Sequence, residues 1–108
     1  MLNLIQDKLV EVWTGELYSP EFKESPAKHK DFTHAILHVM KATGQLASMA
    51  EGLDHSEEFL PKREDAEKYL ADIVICALRM GNTFPGGRID MRRAVLDRIE
   101  KKMGVKIL

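Results

Sequence analysis

Apolar residues recur three and four positions apart in four segments of the chain, a spacing that places them on one face of an α-helix. The first segment predicts a helix over residues 2–13, followed by a loop over residues 18–29 that is long enough to serve as a lid. The second helix is expected to begin between Lys28 and Asp31 and to end at Gly52. The apolar face of the second helix comprises Phe32, Ile36, Val39, Met40, Thr43, Leu46, Ala47 and Ala50.

The third helix is predicted over residues 62–82, and its middle, Leu70–Leu78, is apolar nearly all round. Such a helix is buried on several sides, which in a chain of 108 residues requires a partner subunit. The fourth helix is expected to begin at an Asp90 N-cap and to end at Gly104. Because no segment shows the alternation of a strand, we predict an all-α, four-helix antiparallel bundle completed by oligomerisation as a homodimer or homotetramer.

The composition indicates a single domain that spans residues 1–108, in which 31% of the residues are charged and 44% are apolar. The net charge of -1 argues against a strongly basic nucleic-acid-binding protein. The single cysteine, Cys76, excludes an intramolecular disulfide, and the longest apolar run, Ile73–Leu78, is too short to cross a membrane. The N-terminus lacks the pattern of a secretory signal, so we expect a cytoplasmic protein that binds neither nucleic acid nor membranes.

Two helices and the residues that follow them carry a family resemblance. The second helix contains HVMKATGQLA at residues 38–47, and the third contains EKYLADIVICALRMGN at residues 67–82. They are followed by Gly87-Arg88-Ile89-Asp90, Ala94-Val95 and Lys101-Lys102. This order resembles that of the MazG-like all-α nucleoside triphosphate pyrophosphohydrolases, and the resemblance covers about residues 30–103.

The resemblance implies a MazG-like bundle that uses Mg²⁺ to hydrolyse a nucleoside triphosphate between its α and β phosphates and to release pyrophosphate. The family carries E-x-x-E on one helix and E-x-x-D on the next, and these carboxylates form the Mg²⁺ site. The four corresponding positions in this chain are Ala42, Gln45, Tyr69 and Asp72. Only Asp72 keeps a carboxylate, so it is the one expected metal ligand, and the predicted activity is impaired or absent.

The resemblance also implies contacts with the nucleotide, although no catalytic residue is assigned. The expected substrate-binding residues are Lys41, Gln45, Arg79 and Asn82. Asn82 has a second interpretation, because asparagine also caps helix ends. Asp72 interrupts an apolar run, so it can instead form a buried ion pair with Lys41, Arg79 or an arginine of the fourth helix.

Three functions remain open from the sequence. The first is a non-catalytic protein of this type that binds a nucleotide and needs no cofactor. The second is an active Mg²⁺-dependent pyrophosphohydrolase that uses shifted carboxylates. The candidates for such a shifted site are Glu51, Glu57, Glu58, Glu64, Asp65 and Glu67. The third is a structural, oligomeric helical module that mediates interactions.

Two further clusters each have a functional and a structural interpretation. His34 and His38 lie four residues apart, a spacing that can chelate zinc on a helix or simply form part of a polar face. Residues 88–108 carry seven basic and three acidic side chains, a net charge of +4. This basic segment fits either phosphate binding or a solvated helix face that pairs with acidic residues.

Overall fold

The computed structural model describes residues 1–12, 27–55 and 60–106, except for the side chains of residues 11, 12 and 27–31. Within these ranges the backbone forms four α-helices and no strand, which confirms the all-α prediction. The helices are α1 (Leu2–Val12), α2 (Ala27–His55), α3 (Arg63–Asn82) and α4 (Met91–Met103). None of the helices in the described ranges combines the length and the apolar character needed to span a bilayer.

The predicted ends of α3 and α4 are confirmed to within one residue. α3 begins at Arg63 and ends, as expected, at residue 82. At the start of α4, Oδ1 of Asp90 accepts a hydrogen bond from the backbone N–H of Arg93 at 3.2 Å. At its end, Gly104 adopts a left-handed φ of 67°, and its N–H donates to a carbonyl of the preceding turn, as glycine caps commonly do.

α2 is longer than predicted at both ends. It begins at Ala27, so its first three residues belong to a helix rather than to the predicted loop, whose remainder, 18–26, lies outside the described residues. Proline is compatible with the first turn of a helix, so Pro26 does not prevent a helix from starting beside it. α2 also continues through the predicted cap at Gly52 as far as His55, because a glycine inside a helix costs only about 1 kcal/mol.

α2 and α3 form an antiparallel hairpin. Near the start of α2, the ring of Phe32 meets the ring of Phe84, which follows α3, edge-on with 5.7 Å between the centroids. Toward the other end of the hairpin, Gln45 of α2 and Tyr69 of α3 line the same cavities. The start of α2 therefore lies beside the end of α3, and the space between the two helices is accessible along its length.

α1 packs on both α3 and α4, and Gln6 of α1 is completely buried where α1 meets the C-terminal end of α3. Its Nε2 donates to the carbonyl of Ile89 at 2.7 Å, and its Oε1 accepts from the N–H of Met91 at 3.0 Å. The backbone carbonyl of Gln6 accepts from Nδ2 of Asn82 at 3.0 Å. At Gly81, a Cβ would lie 2.7 Å from Cγ of Met91. We call these five residues the Gln6 junction.

The core of a single chain is small. Among the described residues, the buried apolar side chains are Ala35, Ala42, Cys76 and Leu78. In the middle of α3, Leu70 and Val74 are 55% and 50% exposed. A single chain therefore does not bury this stretch on several sides, because α2 covers one side of α3 and the Gln6 junction covers only its end. Its burial by a partner subunit stays a prediction.

Candidate functional site

A cavity of about 500 Å³ lies between α2 and α3, and we call it the α2–α3 cavity. α2 contributes one helical face, at positions i, i+4, i+7, i+8 and i+11. These residues are His34, His38, Lys41, Ala42 and Gln45. α3 contributes a face of the same kind, made of Lys68, Tyr69, Asp72, Ile75, Cys76 and Arg79. The cavity is thus built by the two longest helices and does not depend on a loop.

The four positions that correspond to the family's metal ligands all line this cavity: Ala42, Gln45, Tyr69 and Asp72. Ala42 is 4% exposed, so its short side chain forms part of the wall and leaves space that a longer side chain would occupy. Gln45 offers a neutral amide and Tyr69 a phenol. Two of the predicted nucleotide contacts, Lys41 and Arg79, line the cavity as well.

The charged side chains around the cavity are mostly basic. Lys41, Lys68 and Arg79 carry positive charge, and Asp72 is the one carboxylate among the described lining residues. The buried guanidinium of Arg79, which is only 6% exposed, lies in a less polar environment than the two exposed lysines. Arg79 already has an interaction partner within the fold, and Lys41 and Lys68 are the cations exposed to the cavity.

This set of side chains does not fit Mg²⁺. Mg²⁺ is held by several hard oxygen ligands, mainly carboxylates and waters, and it loses its own waters reluctantly. Asp72 supplies one carboxylate, and three cations around the same cavity repel a divalent ion. Across the part of the chain that the structure describes, no group of three or more His, Cys, Asp and Glu side chains is placed to hold a metal ion.

Asp72 is half-buried at the cavity wall. No ion pair within 4.0 Å joins it to another described residue, so the predicted pair with Lys41 or Arg79 is not formed there. The apolar run that it interrupts is itself partly exposed, which explains why an ionised carboxylate is tolerated at this position. Asp72 is thus the negative group on a predominantly positive wall.

His34 and His38 form a close pair at one end of the cavity. Their Nε2 atoms are 2.9 Å apart, and their ring centroids are separated by 4.4 Å. A hydrogen bond at this distance needs one ring to donate and the other to accept, and the tautomers decide which ring donates. The predicted zinc site lacks a third ligand among the described residues.

Asn82 does not line the α2–α3 cavity, unlike the other three predicted nucleotide contacts. Its side chain is 6% exposed and donates to the backbone of α1 in the Gln6 junction. The cap that follows α3 is Thr83, whose backbone N–H and hydroxyl both donate to the carbonyl of Arg79. The helix-cap interpretation of Asn82 is therefore wrong, and the role that the structure gives this residue is to attach α1.

A second cavity of about 420 Å³ adjoins the first. Gln45 and Tyr69 line both cavities, and the second is otherwise partly apolar, with Met49, Leu60 and Pro61 in its wall. Lys68 places its Nζ 5.9 Å from the centre of the Tyr69 ring, within the range of a cation–π contact. The two cavities together form a groove that is basic at one end and more apolar at the other.

The candidate carboxylates for a shifted metal site are scattered. Glu64, Glu67 and Glu51 are exposed and line neither cavity, and Asp65 lines only the second one. Glu67 accepts a hydrogen bond from Arg63 at 2.9 Å. The last two candidates, Glu57 and Glu58, lie outside the described residues.

The basic residues of α4 lie apart from the α2–α3 cavity. Arg92, Arg93 and Lys106 line a separate recess of about 300 Å³ on α4, together with Asp97 and Glu100. Arg93 pairs with Asp97 across one helical turn at 3.3 Å. This surface resembles the solvated, internally paired helix face more closely than it resembles a phosphate site.

Sequence reasoning did not single out Lys68 or the histidine pair as parts of one site. The available signal was helical spacing, because Lys68 precedes Asp72 by four residues and His38 precedes Gln45 by seven.

Comparisons of the chain with protein-family models, with curated proteins and with solved structures find no match.

Proposed function

We propose that this chain is a MazG-like helical protein that binds a nucleoside triphosphate in the α2–α3 cavity without the family's Mg²⁺-dependent hydrolysis. The observation that supports this proposal is the placement of Ala42, Gln45, Tyr69 and Asp72 around one cavity. A site descended from paired E-x-x-E and E-x-x-D helices would have this arrangement. The loss of three carboxylates removes the metal site and leaves Lys41 and Arg79 to interact with phosphate oxygens.

The proposal also includes assembly with a second copy of the chain. The single chain leaves several large apolar side chains of α2 and α3 exposed. A second copy that covers these side chains would remove apolar surface from water.

The surface that we assign to this contact is the apolar back face, defined as Ile36, Met40, Leu70 and Val74. Each of these residues is two positions from a residue that lines the cavity, and two positions correspond to about 200° of rotation around a helix. Met40 is 64% exposed, and Leu70 and Val74 are at least half exposed. A homodimer through this face, or a homotetramer built from two such dimers, leaves the cavities accessible.

The reduced thiol of Cys76 is buried and fits a reducing, cytoplasmic compartment.

The direct test of the proposed function is a thermal-shift and calorimetric titration with a panel of nucleoside triphosphates, with a parallel assay for released pyrophosphate. We expect binding that raises the melting temperature and no pyrophosphate release above that of a buffer control with Mg²⁺ or Mn²⁺. Sustained pyrophosphate release would favour the shifted-carboxylate enzyme, and no binding of any nucleotide would favour the structural module.

A further inference from the structure

We infer that the α2–α3 cavity binds a phosphate chain without a divalent cation, and that the His34–His38 pair takes up a proton when the anion binds. This inference deepens the proposed function, because it states how the same cavity neutralises the phosphates of its ligand. It follows from the mismatch between the cavity lining and Mg²⁺.

The first step concerns charge. A bound phosphate chain carries several negative charges, which must be compensated when it leaves water. Lys41 and Lys68 are exposed on opposite walls of the cavity, and Arg79 is buried in the α3 wall. Three cations on two facing helices can perform the neutralisation that metal ions perform at a carboxylate site, with hydrogen bonds that are charge-assisted.

The second step concerns the histidines. The Nε2 atoms of His34 and His38 are 2.9 Å apart, so one Nε2 donates a hydrogen bond and the lone pair of the other accepts it. A phosphate oxygen is a hydrogen-bond acceptor, so it competes for the Nε2–H of the donor ring. It also repels the lone pair on Nε2 of the other ring. If the second ring gains a proton from solvent, both Nε2 atoms become donors to the anion.

The third step explains why proton and anion bind together. Two charged imidazoles at this distance repel each other, and the other groups around the cavity add to the repulsion. The titratable groups that line the same cavity as the pair are Lys41 on α2 and Lys68, Tyr69, Asp72, Cys76 and Arg79 on α3. Only Asp72 favours the doubly protonated pair, so a negative ligand is needed to stabilise it. Histidine is also the side chain whose charge changes between pH 5 and 8.

The experiment is calorimetric titration of the intact protein with inorganic tripolyphosphate and, separately, with a nucleoside triphosphate. Both titrations are run in excess EDTA at about pH 6 and about pH 8, in two buffers of different ionisation enthalpy. We expect both ligands to bind without metal, with an affinity about tenfold higher at the lower pH and with net proton uptake from the buffer.

The matched variant is His34→Gln/His38→Gln, which keeps exposed polar side chains at both positions. The ligand's own protonation contributes equally to both proteins, so the difference between them reports the histidine pair. We expect the double variant to lose most of the proton uptake and to bind at the lower pH about tenfold more weakly. Lys41→Met is expected to weaken binding at both pH values, because it removes a cation from the cavity wall.

The outcomes separate this inference from the proposed function. Nucleotide binding that requires Mg²⁺, or proton uptake that survives in His34→Gln/His38→Gln, overturns the inference and leaves nucleotide binding standing. Binding of tripolyphosphate but not of any nucleoside triphosphate supports the inference and overturns the proposed function. The absence of binding by either ligand, at either pH and with or without Mg²⁺, overturns both.

Discussion

Polar side chains at the C-terminal end of α3 and in its middle differ in what they contact. At the C-terminal end, in the Gln6 junction, the side-chain oxygen and nitrogen of Gln6 both bond to backbone groups that start α4. In the middle of the helix, Asp72 faces a cavity and has no ion-pair partner among the described residues. Polar groups already bonded to the chain stabilise the fold, whereas those that face a cavity are available to a ligand.

The C-terminal end of α3 and its middle also differ in how much of their apolar side chains is exposed. Leu78, at the covered end of α3, is 1% exposed, whereas Leu70 and Val74, in the middle, are at least half exposed. Among the described residues, α1 packs on the first region, and α2 is the helix that packs on the second. We therefore expect substitutions at the covered end to act on the stability of one chain, and those in the middle to act on assembly or on binding.

The largest effect is expected for assembly. Met40→Glu/Val74→Glu places two charges on the apolar back face, and burying each without a partner costs several kcal/mol. We expect sedimentation to show a dimer or tetramer for the natural chain and a monomer for this variant. The control is Lys101→Glu/Lys102→Glu on α4, which replaces two exposed cations with carboxylates and should leave assembly intact. A natural chain that is monomeric at all concentrations would remove the second copy from the account.

The next effect is the loss of Gln6. Gln6→Ala leaves the carbonyl of Ile89 and the N–H of Met91 without their partners and opens a void, so the free energy of unfolding should fall by about 3 kcal/mol. Denaturant unfolding measures this difference. Asn3→Ala, on the exposed part of the same helix, is the control and should change stability by less than about 0.5 kcal/mol. Equal stability of the two variants would contradict the junction.

A gain of metal binding tests the geometry of the middle region. Gln45→Glu/Tyr69→Glu adds two carboxylates to the cavity wall beside Asp72, and three carboxylates suit a divalent cation. We expect calorimetry to show Mn²⁺ binding at least about tenfold tighter than in the same variant with Asp72→Asn, a difference of about 1.4 kcal/mol. A folded variant with no such difference would mean that these side chains do not converge.

Two glycines provide a matched pair with a smaller effect. A Cβ on Gly81 would come within 3 Å of the Met91 side chain, whereas a Cβ on Gly44 would meet nothing within 4 Å. Gly44→Ala should stabilise the chain by about 0.5–1 kcal/mol through helix propensity. Gly81→Ala should lose about 1 kcal/mol, because the crowding outweighs the same gain in propensity. If thermal unfolding shows that both variants gain the same stability, Met91 at the start of α4 is not in close contact with Gly81 of α3.

The smallest effect concerns the exposed ion pair between Arg88 and Asp7. Both side chains remain about half exposed, so water and salt screen their attraction. Arg88→Met should lower the free energy of unfolding by about 0.5 kcal/mol at low salt and by less at high salt. Arg92→Met, on the exposed face of α4, serves as the reference. A loss above about 2 kcal/mol would mean that this pair, rather than the buried amide of Gln6, attaches α1.

Much of the fold could be predicted from the sequence because its signals are local. Apolar spacing located the four helices, and the Asp90 and Gly104 caps marked α4 correctly, since each acts within one helical turn. The ends of α2 were predicted wrongly, because Gly52 resembles a cap but lies where the neighbouring residues favour helix. The family resemblance implied that Gln45 and Asp72 belong to facing surfaces, and both line the α2–α3 cavity, although their role in binding stays a prediction.

The partners of the Gln6 junction could not be predicted, because they join residues that are far apart in sequence. The amide of Asn82, which was expected to contact a nucleotide, reaches a carbonyl 76 positions away on α1. Gly81 lies close to the side chain of Met91 at the start of α4. Neither contact can be predicted from a polar or a small residue without knowing which helix faces it.

Nucleotide binding in the α2–α3 cavity can be tested by mapping the backbone amide chemical shifts of the ¹⁵N-labelled protein. The protein is titrated with a nucleoside triphosphate in EDTA. We predict that the perturbed backbone amides cluster at residues 34–45 of α2 and 68–79 of α3, while the amides around Gln6 keep their positions. Perturbations concentrated on α4, or a spectrum that does not change at saturating nucleotide, would contradict the assignment of the α2–α3 cavity as a nucleotide site.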